Sequence, residues 1–287
     1  MILLIYFLVI GFYYSHIFFF LSLLSFSCLY ANEKRKDGYC PHRLKSVQSI
    51  HIFCFTLIGI TMATYDVIIL AGGKGSRMED ERPKVMVPVG KITILGYQLS
   101  YLKSFSFIDR IIISINNDQA SIIDWVNTYY PHMNIHFSVE HTKLGTAGGL
   151  RFALEKSTAD YCFVLNGDNL ADVDLLELSK KEDHVICVRK VHLNYGVVLE
   201  QKGYAVFKEK PLFDEWVNSG WYLFKRESLM SHLPEIGSLE YDVFPKLKMR
   251  VYYHDGFCKS LNTKKDIEML EQEGFPKQYI EILGVIL

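Results

Sequence analysis

The chain has 287 residues, 49% of them hydrophobic and 22% charged, with a formal net charge of −1. That length suits one large α/β domain or two small ones, and a near-neutral chain without a long Lys/Arg block lacks the basic face of a nucleic-acid binder. The six cysteines, Cys28, Cys40, Cys54, Cys162, Cys187 and Cys258, form no C-x-x-C pair, which argues against a zinc site and against a disulfide framework.

Residues 2–26 are almost entirely apolar and long enough to span a bilayer. No cation precedes the run, so it makes a poor secretory signal. The basic cluster at 34–45 would hold the rest of the chain in the cytoplasm if the run were a spanning helix; a second apolar run, 50–61, is short for a span. Alternatively, Met62 opens a natural start, "MATYDVIILAGG", and the first 61 residues are an extension of the reading frame. The expected division is therefore 1–61, hydrophobic extension or anchor, and 62–287, a cytoplasmic functional domain. A membrane partner is expected only if the first segment is real.

From Asp66 the pattern alternates strand and helix. "DVIIL" (66–70) reads as a buried parallel strand ending in glycines. Leu95, Leu99 and Leu102 mark a helical face within 93–105. Strands come next at 110–115, 135–139 and 161–166, with helices at 119–130 and 146–156. Cys162 and Cys187 lie in apolar runs and read as core thiols. This order predicts an α/β fold with a doubly wound, mostly parallel sheet, its ligands at the carboxyl ends of the strands. After residue 183, "HVICVRK", "YGVVLE", "YAVFKE" and "SGWYLFK" read as short strands of a small mixed or antiparallel lid over the sheet edge. The segments 71–77, 140–146 and 167–169 should converge.

The stretch "LAGGKGSRMEDERPKVMVPVG" (70–90) comes directly after the first strand. It lacks the G-x-x-x-x-G-K-[ST] spacing of a P-loop and the third glycine of a dinucleotide fingerprint. What remains is a turn of backbone amides at Leu70, Ala71, Gly72, Gly73, Gly75 and Ser76, with two cations behind it. Glycines admit a phosphate closely; Arg77 can fork onto phosphate oxygens and Lys84 supplies a point charge.

This stretch resembles the signature of nucleotidyltransferases that join a nucleoside triphosphate to a sugar 1-phosphate. Further pieces occur in the family's order across 65–270: "HTKLGTAGGLRFAL" (141–154), "VLNGDN" (164–169), "YGVV" (195–198), "FKEKP" (207–211), "NSGWYLF" (218–224), "SLEYDVFPKL" (238–247) and "GFCKSLNTKKD" (256–266). The body resembles mannose- or heptose-1-phosphate guanylyltransferases, while its ending resembles glucose-1-phosphate cytidylyltransferases, so the base stays open.

The resemblance implies a Rossmann-like fold and attack of a sugar 1-phosphate on the α-phosphorus, releasing pyrophosphate. The nucleophile is already anionic near neutral pH, because a phosphate monoester's second pKa is about 6; cations and a metal are needed rather than a base. It implies Arg77 for the β- and γ-phosphates, Lys84 around the α position, and Gly145 and Thr146 beside the base. Gly196, Glu209, Lys210, Asn218 and Glu240 would take the sugar phosphate. Mg²⁺ would sit on Asp168, a hard oxygen ligand. The family's second acid near the C-terminus is matched by Asn262, an uncharged oxygen donor; Asp255 is an alternative. A non-catalytic, ligand-binding homologue is therefore a second reading. A third is a membrane-tethered glycosyltransferase using Asp172-x-Asp174, although those acids also suit a helix N-terminus. His132, His136 and His141 read as surface or loop residues. Neither the sugar nor a homo-oligomer is specified.

Overall fold

The computed structural model of the chain describes residues 63–73, 78 and 81–283. The expected anchor 2–26, the basic cluster 34–45, the second apolar run 50–61 and Gly75, Ser76 and Arg77 lie outside the described residues. Among the described residues no helix is long and apolar enough to cross a membrane.

Short β-branched runs make the sheet. Strand β1 (Tyr65–Leu70) is followed by a small hairpin, β2 (Pro88–Val89) and β3 (Ile92–Thr93), and by helix α1 (Ile94–Leu102). Thr93 caps α1 by accepting from the Gly96 amide at 3.0 Å, the arrangement that satisfies an otherwise orphaned donor. Then come β4 (Ile108–Asn116), α2 (Ala120–Tyr129), β5 (Ile135–Glu140), α3 (Gly145–Leu154) and β6 (Tyr161–Asn166).

Alternate residues on these strands serve opposite faces. Val67, Ile69, Ile111, Ile113, Phe163 and Leu165 pack with Leu95 and Leu99 of α1 and Val126 of α2. Ile68, Ile112, Cys162 and Val164 pack with Ala147, Leu150 and Leu154 of α3. Both faces are covered, which is why the strands read as continuous apolar runs. Burial pushes the Cys162 thiol up to about 12, and Cys187 is also buried, as expected of core thiols.

The chain continues through β7 (Asn169–Ala171), α4 (Leu175–Ser179), β8 (Val185–Arg189), β9 (Val197–Gln201), β10 (Tyr204–Lys208), β11 (Val217–Lys225) and α5 (Arg226–Met230). It closes with β12 (Arg250–Tyr253), β13 (Cys258–Ser260), α6 (Lys264–Glu273) and α7 (Lys277–Leu283). The main sheet has seven strands in the order β12-β8-β11-β6-β1-β4-β5. All neighbours are parallel except those of β11, which runs against both β6 and β8.

The doubly wound, mostly parallel sheet is thus present, and the lid is smaller than the sequence suggests. "HVICVRK" and "SGWYLFK" supply β8 and β11, which are buried members of the main sheet. Only β9 and β10 form the separate antiparallel hairpin. Periodicity alone cannot distinguish a short buried strand of a main sheet from one of a satellite sheet. The Trp221, Tyr222, Leu223 and Phe224 run, all at 1% exposure or less, has the two-sided burial of an interior strand.

Candidate active site

Three sequence-distant residues meet at one point. The Lys84 ammonium donates to Asp168 Oδ2 at 2.5 Å and to Asn262 Oδ1 at 2.8 Å. Lys84 starts a 3-10 turn after Pro83 and is anchored by Val85, which is 2% exposed. Val85 packs against Gly167, where a Cβ would lie 2.7 Å from its Cγ1. Asp168 occupies the link between β6 and β7. Gln98 of α1 braces that link from below, donating to the Asn166 and Asn169 carbonyls at 2.9 Å each. Asn262 is held by the cap of α6, where Thr263 and Asp266 form a capping box and the Asn262 amide donates to Asp266 at 2.9 Å.

This cluster opens into a cavity of about 270 Å³ lined by Leu70, Ala71, Gly73, Lys84, Thr146, Gly167, Asp168 and Asn262 among others. A neighbouring cavity of about 550 Å³ shares Leu70, Gly73 and Thr146 with it. Gly72, Asn116, Asp118, Glu140, His141, Gly145 and Gly149 also line the second cavity. Together they form one cleft along the carboxyl ends of β6, β1, β4 and β5, so 71–73, 140–146 and 167–168 converge as the topology requires.

The second glycine turn is built for close approach. Gly145 has φ +74°, and a Cβ there would lie 2.3 Å from the Gly237 carbonyl oxygen. Reciprocal main-chain bonds, Ala147 N to Gly237 O at 3.0 Å and Gly237 N to Leu144 O at 2.9 Å, fasten it to the later segment. Glu240 belongs to that segment. Its Oε2 accepts from Ser238 Oγ at 2.7 Å and from Thr146 Oγ1 at 3.4 Å, which puts it against the glycine turn.

Sequence reasoning overlooked Glu140. Its carboxylate is buried at the end of β5, accepting from Ser114 Oγ at 3.1 Å and from the Leu144 amide at 3.3 Å. Gly149 makes room for it: a Cβ there would sit 2.4 Å from Oε1. The usable signal was an acid closing a buried strand directly before a glycine turn. Asn116, equally unremarked, donates to the Gly72 carbonyl at 2.5 Å and holds the first turn to β4.

Just before β9, Gly196 lies under Phe207 and Glu209. A Cβ on it would meet the Phe207 ring at 2.2 Å and Glu209 Oε2 at 2.9 Å. Asn218 is exposed, donates to the Tyr222 hydroxyl at 2.7 Å and accepts from the Gly220 amide at 2.9 Å. Lys210 has φ +43° and its carbonyl accepts from His192 Nδ1 at 2.9 Å. The structure brings Gly196 and Glu209 together and leaves Lys210 on the exposed segment after β10.

The Asp172-x-Asp174 pair is engaged elsewhere. Asp174 caps α4, accepting from the Leu176 and Glu177 amides, and Asp172 lies 3.0 Å from His254 Nε2. Both acids are thereby committed to local structure. Burial lowers the His254 pKa, but hydrogen bonding and the charge of Asp172 outweigh it, and the net shift is upward from 6.5. A raised native pKa contributes stability that is full below 6.5 and is lost as pH rises through the native value. Thermal unfolding followed from pH 6 to pH 8 should show a decline that His254→Gln flattens; equal slopes in the two proteins would remove His254 as its source.

Among the described residues no three His, Cys, Asp or Glu side chains cluster as a metal site. The donors at Asp168 and Asn262 nevertheless suit Mg²⁺, a hard cation that takes few protein oxygens and completes its shell with phosphate and water. Both oxygens already face a single cation, Lys84 Nζ.

Residues 66–247 match the nucleotidyl transferase family. A D-glycero-alpha-D-manno-heptose 1-phosphate guanylyltransferase of Aneurinibacillus thermoaerophilus is 32% identical over 170 residues, covering 55% of this chain and 74% of that protein. Its namesake from Campylobacter jejuni is 28% identical over 213 residues, covering 69% and 95%. The crystal structure of HddC from Yersinia pseudotuberculosis superposes with a TM-score of 0.61 at 25% identity, covering 73% of this chain and 99% of that one; it has also been solved complexed with GMP-PN. With the match running from β1 through β11 and taking in both glycine turns and the Asp168 link, the chain belongs to the nucleotidyl transferase family.

Proposed function

We propose that this protein transfers a nucleoside monophosphate from a nucleoside triphosphate to a sugar 1-phosphate, releasing pyrophosphate, with guanine as the preferred base. The observation that carries the reaction is the Lys84–Asp168–Asn262 cluster at the junction of the cleft. A sugar-phosphate oxygen forms a bond to the α-phosphorus while the bond to the β-phosphate bridging oxygen breaks. Both reactants are polyanions, so positioning and charge neutralisation dominate the barrier. Lys84 turns from its resting partners to the reacting phosphates. Asp168 and Asn262 would hold Mg²⁺, which supplies further neutralisation of phosphate charge. Leu70–Gly73 and Thr146 cradle the triphosphate, with Gly75, Ser76 and Arg77 assigned to the same loop. Gly196, Glu209, Lys210, Asn218 and Glu240 remain the proposed sugar-phosphate residues.

Guanine is favoured because of Glu140. A carboxylate accepts only, and it has about four lone-pair sites, so two protein donors leave it capacity. Guanine alone among the common bases offers two adjacent donors, N1–H and the 2-amino group. The relatives named as guanylyltransferases support the same choice. Pyrophosphate release should be measured with four triphosphates against mannose 1-phosphate and heptose 1-phosphates; no release with any pair would overturn the reading. Glu140→Gln should lower kcat/KM for GTP about 10- to 100-fold and improve UTP or dTTP relative to it, because an amide matches an imide edge. Unchanged base preference would remove Glu140 from base selection.

A further inference from the structure

We infer that Arg189 is a further residue that receives the phosphate of the sugar 1-phosphate. The inference rests on the proposed nucleotidyl transfer and adds to it a binding group that no motif supplied.

Arg189 carries an uncompensated charge. It ends β8 and is half-buried. Its Nη2 donates to Ser260 Oγ at 3.3 Å and its guanidinium also meets the Cys258 thiol, both neutral partners, and among the described residues its buried Nε has no hydrogen-bond partner in the strict geometric sense. Among the described residues no carboxylate pairs with it. A guanidinium removed from water without a counter-ion is costly, and its planar donors match phosphate geometry. Other partly buried cations here meet a carboxylate or a backbone carbonyl: Lys84 has Asp168, Arg110 lies 3.3 Å from Asp66, Arg151 donates to the Leu233 carbonyl at 2.8 Å and Arg226 to the Ala159 carbonyl at 2.9 Å.

Position then selects which anion. β8 is parallel to β6, with β11 between them, so Arg189 stands at the same edge of the sheet as Asp168. Ser260, its partner, pairs with Asn169, the residue after Asp168, and the Leu261 amide donates to the Asp168 carbonyl at 2.8 Å. Across the sheet edge the order is base cavity at β4 and β5, Lys84 and Asp168 at β1 and β6, then Arg189 at β8. The triphosphate fills the first two stations. Beyond Arg189 the chain passes to His192, which holds Lys210, and on to Gly196 beneath Glu209. Strand order therefore puts Arg189 at the sheet edge beyond Asp168, where the chain sets out toward the expected sugar residues, the side from which an acceptor's phosphate would approach for in-line attack.

The test uses the full chain with Arg189→Gln, Arg189→Lys and Ser260→Ala. The KM for mannose 1-phosphate should rise about 10- to 100-fold in Arg189→Gln, with the KM for GTP unchanged. Arg189→Lys should recover part of the loss. Ser260→Ala, which removes the hydrogen bond and keeps the cation, should leave both constants near wild type. Mannose 1-phosphate alone should raise the melting temperature of the wild type and not that of Arg189→Gln, whose unliganded melting temperature should equal or exceed that of the wild type. An unchanged acceptor KM in Arg189→Gln, or an equal loss in Ser260→Ala, would overturn the assignment. So would an Arg189→Gln protein that fails to fold, because the charge would then have been structural. A wild type that releases no pyrophosphate and is not stabilised by the phosphomonoester would instead overturn the parent reading.

Discussion

Lys84→Ala is expected to lower kcat for pyrophosphate release by roughly 10²- to 10³-fold while leaving the melting temperature nearly unchanged. The Lys84 side chain is 12% exposed and its ammonium's two partners are oxygens of the cleft. Nothing in the hydrophobic core depends on it, because the turn is anchored by Val85 rather than by the lysine head. Removing it deprives the transition state of a charge positioned in advance and leaves Asp168 without its cation. Asp168→Asn should cause a comparable loss, and the double variant should lose far less than the product of the two, as expected for groups acting as a unit. Activity of Lys84→Ala within twofold of wild type would exclude Lys84 from the chemistry; multiplicative losses would mean that Lys84 and Asp168 act independently.

Gly145→Ala is expected to destabilise the protein by about 2–4 kcal/mol, combining a disfavoured positive φ with a backbone collision. The Gly237 carbonyl lies 2.3 Å from where the methyl would sit, and backbone cannot step aside as a flexible side chain can. For a domain of this size that loss lowers the melting temperature by roughly 5–15 °C. The GTP KM should rise as well, because the same turn lines the larger cavity. Gly73→Ala provides the contrast: among the described residues no atom lies within 4 Å of where its Cβ would sit and its φ is outside the left-handed region, so the fold should tolerate it. A stable Gly145→Ala protein would mean that the 144–148 turn and the 235–237 segment can move apart together.

The central strands and most helix positions were readable because both faces of β1, β4 and β6 are covered, which leaves uninterrupted runs of Ile, Val and Leu. Lys84 and Asp168 were readable because each sits beside a turn with a recognisable chemical pattern. Glu140 was not: an acid at a strand end means nothing until the next turn folds back over it and Gly149 opens a slot. Gln98 was hidden for a similar reason, since a glutamine in an apolar helix shows its purpose only when the Asn166 and Asn169 carbonyls arrive above it. The sheet membership of β8 and β11 depended on pairing partners far away in the chain, information that local alternation does not carry.

The pairing of β13 with β7 bears on how the molecule comes into being. A ribosome delivers Lys84 and Asp168 long before Asn262, and β7 has no antiparallel neighbour until Cys258–Ser260 emerge. The centre of the sheet can assemble on the nascent chain, yet the cleft cannot acquire its last oxygen donor until almost the whole described sequence has been synthesised. A half-made chain therefore holds the groove beside β1 and β4 with the Lys84–Asp168–Asn262 cluster unfinished, and that cluster is completed as a late event of translation rather than growing with chain length.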